Sequence, residues 1–226
     1  MKLSHVFRTT ILASTLAFGL TGYTQASNVE IILQQFQQGQ GLQAYNQKDY
    51  ATALKFWQPL AEQGDKIAQY NLGFMYLNGQ GVAQDYQQAA YWFQKAAQQG
   101  LVEAQYDLGV MYDKGEGVTQ DYQQAVYWLQ KAAQQGYAKA QYSLGVMYYE
   151  GQGVAQDYQQ TVYWYQKAAQ QGIAETQYNL GVMYYQGQGV KKDAKKARSL
   201  WQQACKQGFK QACEALEVTK PSKKAK

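Results

Sequence analysis

Apolar and small side chains fall into two alternating registers along most of this chain. In the first register Ala68, Leu72 and Tyr76 lie four apart and share one stripe of a helix. Gly73, beside that stripe, leaves room for a neighbouring helix to come close. In the second register Ala89, Trp92 and Ala96 form another stripe. Gly79 and Gly81 separate the two and stop the first helix, because Gly takes the left-handed conformation that helix ends commonly need. Asp85 opens the second helix as an N-cap, and Gln88, three residues on, completes an approximate capping box. Lys95 sits near the end of that helix, where the dipole favours a cation. Gly100 ends it.

The same letters return every 36 residues without a gap, in four copies at 65–100, 101–136, 137–172 and 173–208. Each carries a small residue, Gln-Tyr, Leu-Gly, Met-Tyr and a Gly-x-Gly-Val turn, then the second register. One helix pair cannot bury its own apolar face, so stacked copies must supply the core. Trp128 and Trp164 recur at the Trp92 position and belong to this core rather than to a stacking site for sugar or bases. The fourth copy departs: Leu200 takes the Trp position, Trp201 follows one later, and Lys195 and Lys196 replace Gln-rich neighbours. A slightly rotated second helix with a basic outer surface is expected there. Upstream, Asp49, Tyr50, Ala53, Phe56, Ala61 and Gly64 repeat the second register, after a helix around positions 31–46 and a short turn. This makes 27–64 an N-terminal capping pair. Downstream, Ala212 and Leu216 make 209–218 a single capping helix.

This pattern resembles the Sel-like repeat, a relative of the tetratricopeptide repeat. Leu108-Gly109, Gly115-Glu116-Gly117-Val118, Asp121, Trp128, Lys131-Ala132-Ala133 and their counterparts in the other copies carry the resemblance. It implies an all-α fold, a right-handed α/α superhelical solenoid of stacked antiparallel helix pairs, and a role in protein interaction. Cys205 and Cys213 stand where other copies have Ala97 and Gln69. Their C-x7-C spacing is similar to that in the disulfide-bearing repeats of the Helicobacter cysteine-rich proteins. A structural disulfide is the expectation in an oxidising compartment, with a reactive or metal-binding thiol pair as the alternative.

The first residues add a location. Lys2 and Arg8 precede a largely apolar stretch at 9–22, and Thr24-Gln25-Ala26 offers a small-residue cleavage site. The apolar run is shorter than the roughly 20 residues a membrane span needs, so 1–26 reads as a cleaved signal peptide. A periplasmic or secreted protein without a stable membrane anchor follows. Charge is uneven: 27–190 holds 8 Lys and 13 acidic residues, whereas 191–226 holds 11 basic and 3 acidic ones. Export makes nucleic acid an improbable partner, and 219–226 reads as a basic disordered tail that aids solubility.

Catalytic chemistry finds few residues. The one His, His5, leaves with the signal peptide, and none of Ser27, Ser143, Ser199 and Ser222 opens an S-x-x-K motif or sits in a G-x-S-x-G elbow. The Gly-x-Gly segments lack the third Gly and the preceding strand of a phosphate loop. Asp85, Asp121, Asp157 and Asp193 are N-caps, and no short loop gathers the oxygens of a calcium site. No catalytic residue, metal site or cofactor is therefore expected.

The partner is expected to be a protein or peptide, bound by a monomer. In a tetratricopeptide-like stack the first helices line the concave face. Tyr70, Asn71, Phe74, Leu77 and Asn78 point to that face by helix period, as do Tyr106, Asp107, Val110, Asp113 and Lys114. Tyr142, Ser143, Val146, Tyr149 and Glu150 follow, then Tyr178, Asn179, Val182, Tyr185 and Gln186. Tyr holds the leading position in every copy while its neighbours vary, the pattern of a groove with set selectivity for an extended peptide. The alternative is that the Tyr ladder only packs between repeats. Replacing Asp107, Asp113 and Tyr149 together is expected to spare the fold and weaken capture. Two other functions remain open: a secreted host-interaction effector, and the β-lactamase activity attributed to some cysteine-rich relatives.

Overall fold

A computed structural model describes residues 21–219. The expected signal peptide up to position 20 and the tail beyond Thr219 lie outside the described residues. Among the described residues eleven helices follow one another: α1 Thr21–Asn46, α2 Tyr50–Glu62, α3 Lys66–Asn78, α4 Tyr86–Gln98, α5 Val102–Lys114, α6 Tyr122–Gln134, α7 Ala138–Glu150, α8 Tyr158–Gln170, α9 Ala174–Gln186, α10 Ala194–Lys206 and α11 Lys210–Val218. Each packs against its neighbours in sequence, first helix on second within a repeat and second on the next first between repeats. The fold is thus a solenoid of helix pairs, and its core is a series of clusters rather than one centre. Ala90, Phe93 and Ala97 of α4 meet Ala104 and Leu108 of α5, and Val126, Leu129 and Ala133 of α6 meet Ala140 and Leu144 of α7.

Glycine decides how closely the layers approach. A Cβ at Gly73, Gly109, Gly145 or Gly181 would overlap Phe93, Leu129, Tyr165 or Trp201, the residue across the pair. The second Gly of each turn has a different task. At Gly117, Gly153 and Gly189 a Cβ would collide with the carbonyl of Tyr86, Tyr122 or Tyr158, at the start of the preceding repeat's second helix. That turn therefore seats one repeat on the one before it, besides ending a helix.

Capping follows the expected residues with one difference. The Asp85, Asp121 and Asp157 carboxylates each accept from two backbone N–H groups, and Asp193 accepts from Lys196. The reciprocal half of a capping box is not formed. The Asp85 N–H instead donates to the Tyr76 carbonyl at 3.0 Å, closing the turn, and Asp121, Asp157 and Asp193 do the same with Tyr112, Tyr148 and Tyr184. Gly79, Gly115, Gly151 and Gly187 end the first helices in the left-handed region.

Three further expectations change. Trp128 and Trp164 are buried, but Trp92 is only half-buried, and Phe93 fills the core beside it. The second helix of the fourth repeat keeps the bounds, cap and buried positions of the others, with Ala197, Leu200, Trp201 and Ala204 inside. No rotation occurs, because Trp201 takes the place of Phe93, Leu129 and Tyr165 over the facing glycine. The first helix extends upstream of Ile31 as far as Thr21, the first described residue. The turn after it is short, with Lys48 at φ 62°.

Candidate functional site

The buried Gln of each Gln-Tyr pair holds successive repeats together. Gln69, Gln105, Gln141 and Gln177 each donate from Nε2 to the carbonyl of Ala61, Ala97, Ala133 or Ala169 at 3.1 Å, across the junction with the preceding helix. Their Oε1 atoms accept from Gln99, Gln135, Gln171 and Gln207 at 2.7–2.9 Å. A buried amide with both ends satisfied tolerates no shift in register. At the last junction the same two registers are occupied by Cys213 and Cys205, joined by a disulfide with Cα atoms 4.9 Å apart. A covalent bond stands there in place of the Gln to Ala hydrogen bond. The sequence reading named the Gln as invariant without its task; the clue was its eight-residue offset from Ala, the offset the cysteines share.

The tyrosine ladder forms a second set of joints on the face of the first helices. Tyr70 donates to Asp107 at 3.0 Å, and the Tyr106 hydroxyl stands near Ser143 of the next repeat. The Tyr142 hydroxyl stands near Glu175 and Asn179 of the repeat after that. Each ring also lies against an aromatic neighbour: Tyr70 on Phe93, Tyr106 on Tyr137, Tyr142 on Tyr165 and Tyr178 on Phe209, at 5.2–5.8 Å between centroids. Burial first, then nearby carboxylates, raise the Tyr70, Tyr106 and Tyr142 phenols above their ordinary range. Burial likewise raises the Asp107 carboxyl, although Tyr70 and Lys139 oppose it. Asp107 is thus a structural acceptor as much as a groove residue, and its replacement would disturb a joint.

Two cavities open on this face. The larger, about 340 Å³, lies between α7 and α9 and brings together Tyr142, Val146, Tyr149, Glu150, Tyr178, Asn179 and Val182 from the expected set. Tyr165, Met183 and Gln188 also line it. Sequence reasoning placed none of these three at the site. Tyr165 was legible as the one tyrosine at a position otherwise filled by Phe93, Leu129 and Trp201. The smaller cavity, about 200 Å³, joins Val110, Asp113, Tyr142, Ser143 and Val146 with Gln152. Burial raises the Asp113 carboxyl as well.

The other expected residues do not converge. Tyr70 and Asn71 are half-buried and Phe74 exposed beside neither cavity, and Asn78 donates back to the Phe74 carbonyl. Lys114 pairs with Glu116 at 3.8 Å. Tyr185 lies 5.5 Å from Trp201 with Lys192 over its ring. Among the described residues no group of three or more His, Cys, Asp or Glu side chains could hold a metal ion, and no helix is long and apolar enough to cross a membrane.

Stacked antiparallel helix pairs with a 36-residue period, locked by a buried amide, define an α/α repeat solenoid. The Sel1 repeat profile matches at 36–65, 66–101, 102–137, 138–173 and 174–209, so the chain belongs to the Sel1 repeat family. The first matched stretch covers most of the pair expected as an N-terminal cap, 27–64, and ends one residue past it. A Sel1 repeat protein from Oxalobacter formigenes is similar at 35% identity, over 78% of this chain and 72% of that one, with a TM-score of 0.74. A protective antigen of uropathogenic Escherichia coli strains, with an SLR fold, is similar at 34% identity over 88% of this chain and a TM-score of 0.64. This chain spans about half of that antigen, 51% of its length. Cysteine rich protein B of Helicobacter pylori is similar at 28% identity over 56% of this chain and 96% of its own, with a TM-score of 0.44. No curated protein matches significantly. Sel1 repeat proteins are generally non-catalytic scaffolds for protein–protein interaction.

Proposed function

We propose that this protein is an exported, non-catalytic scaffold that holds a partner protein or extended peptide on the face lined by its first helices. The observation that carries this reading is a coincidence of position. Both cavities open on that face, and residues that vary from repeat to repeat, Asp113, Ser143, Glu150 and Asn179, line them. A repeat solenoid uses its constant residues to hold shape and its variable ones to choose a partner. The absence of a usable His, an activated Ser or a metal cluster from the sequence favours binding over catalysis.

The test replaces exposed residues of the first-helix face whose ring contacts stay within their own repeat. Tyr149→Ala with Tyr185→Ala should change stability by no more than about 1 kcal/mol and abolish capture of the natural partner. Tyr91→Ala with Tyr127→Ala, on the second helices, should leave capture intact; the reverse pattern overturns the reading. Purified protein should not hydrolyse a chromogenic β-lactam above background, and a hydrolysis abolished by one substitution would contradict the scaffold role. The similarity to a protective antigen favours export and supports a second reading, a secreted host-interaction protein. Fractionation into periplasm and medium distinguishes the two.

A further inference from the structure

The larger cavity combines an aromatic wall with a carboxylate and an unpaired buried acceptor. Tyr142 and Tyr165 stack at 5.8 Å with their planes 18° apart, and Tyr149 stands at the same wall. Aromatic faces carry negative potential. Glu150 lines the cavity, and after burial its carboxylate and then that of Glu175, outside the lining, raise the Tyr165 phenol. Neither carboxylate has a cationic partner, since the one ion pair among the described residues joins Lys114 and Glu116 in the second repeat. Gln188, also lining the cavity, has a buried side-chain oxygen with no hydrogen-bond partner. Its counterpart in the first turn, Gln80, accepts from Tyr45 at 2.6 Å.

A buried acceptor left unpaired costs free energy, and two unneutralised carboxylates beside an aromatic wall attract a cation. An anionic group would meet the Glu150 carboxylate and the negative ring faces, and a purely apolar one would leave that carboxylate and the Gln188 oxygen without a partner. We infer that this cavity is a subsite for one cationic side chain, Lys or Arg, presented by the bound segment. The Tyr142, Tyr149 and Tyr165 rings would flank its alkyl stem and charged head, Glu150 and Glu175 would neutralise it, and Gln188 would accept one of its N–H donors. This rests on the binding face proposed above and names the chemistry of what that face holds.

The test uses the full chain and four pentapeptides, acetyl-Gly-Gly-X-Gly-Gly-amide with X as Lys, Arg, norleucine or Glu, followed by NMR. The Lys and Arg peptides should shift the amides of Tyr149, Glu150 and Val182, and the norleucine peptide should bind about tenfold more weakly. Glu150→Gln with Glu175→Gln should weaken the Lys peptide about tenfold, leave the norleucine peptide unchanged and keep the melting temperature. Added salt should weaken the Lys and Arg peptides and leave the norleucine peptide unchanged. Equal binding of Lys and norleucine peptides, an unaffected double variant, or no shift with any peptide overturns the subsite. Natural-partner capture separates the two readings. If the Gln double variant retains the partner while the Tyr149, Tyr185 variant loses it, the face stands and the subsite falls; if both retain it, the face itself is wrong.

Discussion

At the residue scale, invariance marks joints and variation marks the face available to a partner. Gln105 is the clearest joint. Its truncation to Ala leaves the Ala97 carbonyl with only the Gly100 N–H and the Gln135 amide with only the Gly100 carbonyl, and should cost about 1–2 kcal/mol in chemical denaturation. A loss under a few tenths would mean that water replaces the amide freely. Asp107 carries a pH dependence of unusual sign. Burial raises its folded-state pKa above the unfolded value of 3.8, so ionisation is disfavoured in the folded protein. The penalty is fully present above the raised value and vanishes as pH falls through it towards the unfolded one. Asp107→Asn should therefore melt above the wild type at neutral pH, with a gap that closes on acidification; a constant gap would contradict this. The Asp107 joint was not legible beforehand, because a helix period tells which face a side chain occupies but not whether a hydroxyl 37 positions earlier reaches it.

At the element scale, the helices, their caps and their pairing could be read almost throughout, because the 36-residue repeat shows each signal several times. What escaped was contact between repeats. The Gly-x-Gly turn reads locally as a helix stop, yet Gly117 is required by the Tyr86 carbonyl 31 positions upstream. Comparing two glycines tests this assignment. Gly136 has a positive φ of 91° but nothing within 4 Å of an added Cβ, so Gly136→Ala should cost only about 1 kcal/mol of backbone strain. Gly117→Ala adds a collision with backbone and should cost at least about 2 kcal/mol more in thermal or urea unfolding. Equal losses would show that the close approach relaxes easily. The same reasoning explains Trp201: a displaced aromatic suggests a rotated helix until the glycine opposite it, Gly181, is seen to receive it.

At the scale of the whole molecule, each layer is held by its neighbours, so the ends are the weakest places. The Cys205–Cys213 bond closes the C-terminal one, and Arg198 adds bonds to the Leu216 and Thr219 carbonyls at the end of α11. Reduction should loosen α11 by roughly 2–3 kcal/mol in the chain-entropy account, with faster amide exchange confined to α10 and α11. Acceleration spread along the whole chain would show a single cooperative unit instead. The central claim, that the first-helix face is where a partner is held, is tested most directly by site-specific photocrosslinking in the native host. A photoreactive side chain at Val146, Tyr149 or Tyr185 should crosslink one discrete partner, and the same group at Tyr91, Tyr127 or Tyr163 should give none. A partner caught from the second-helix positions and never from the first would contradict the account.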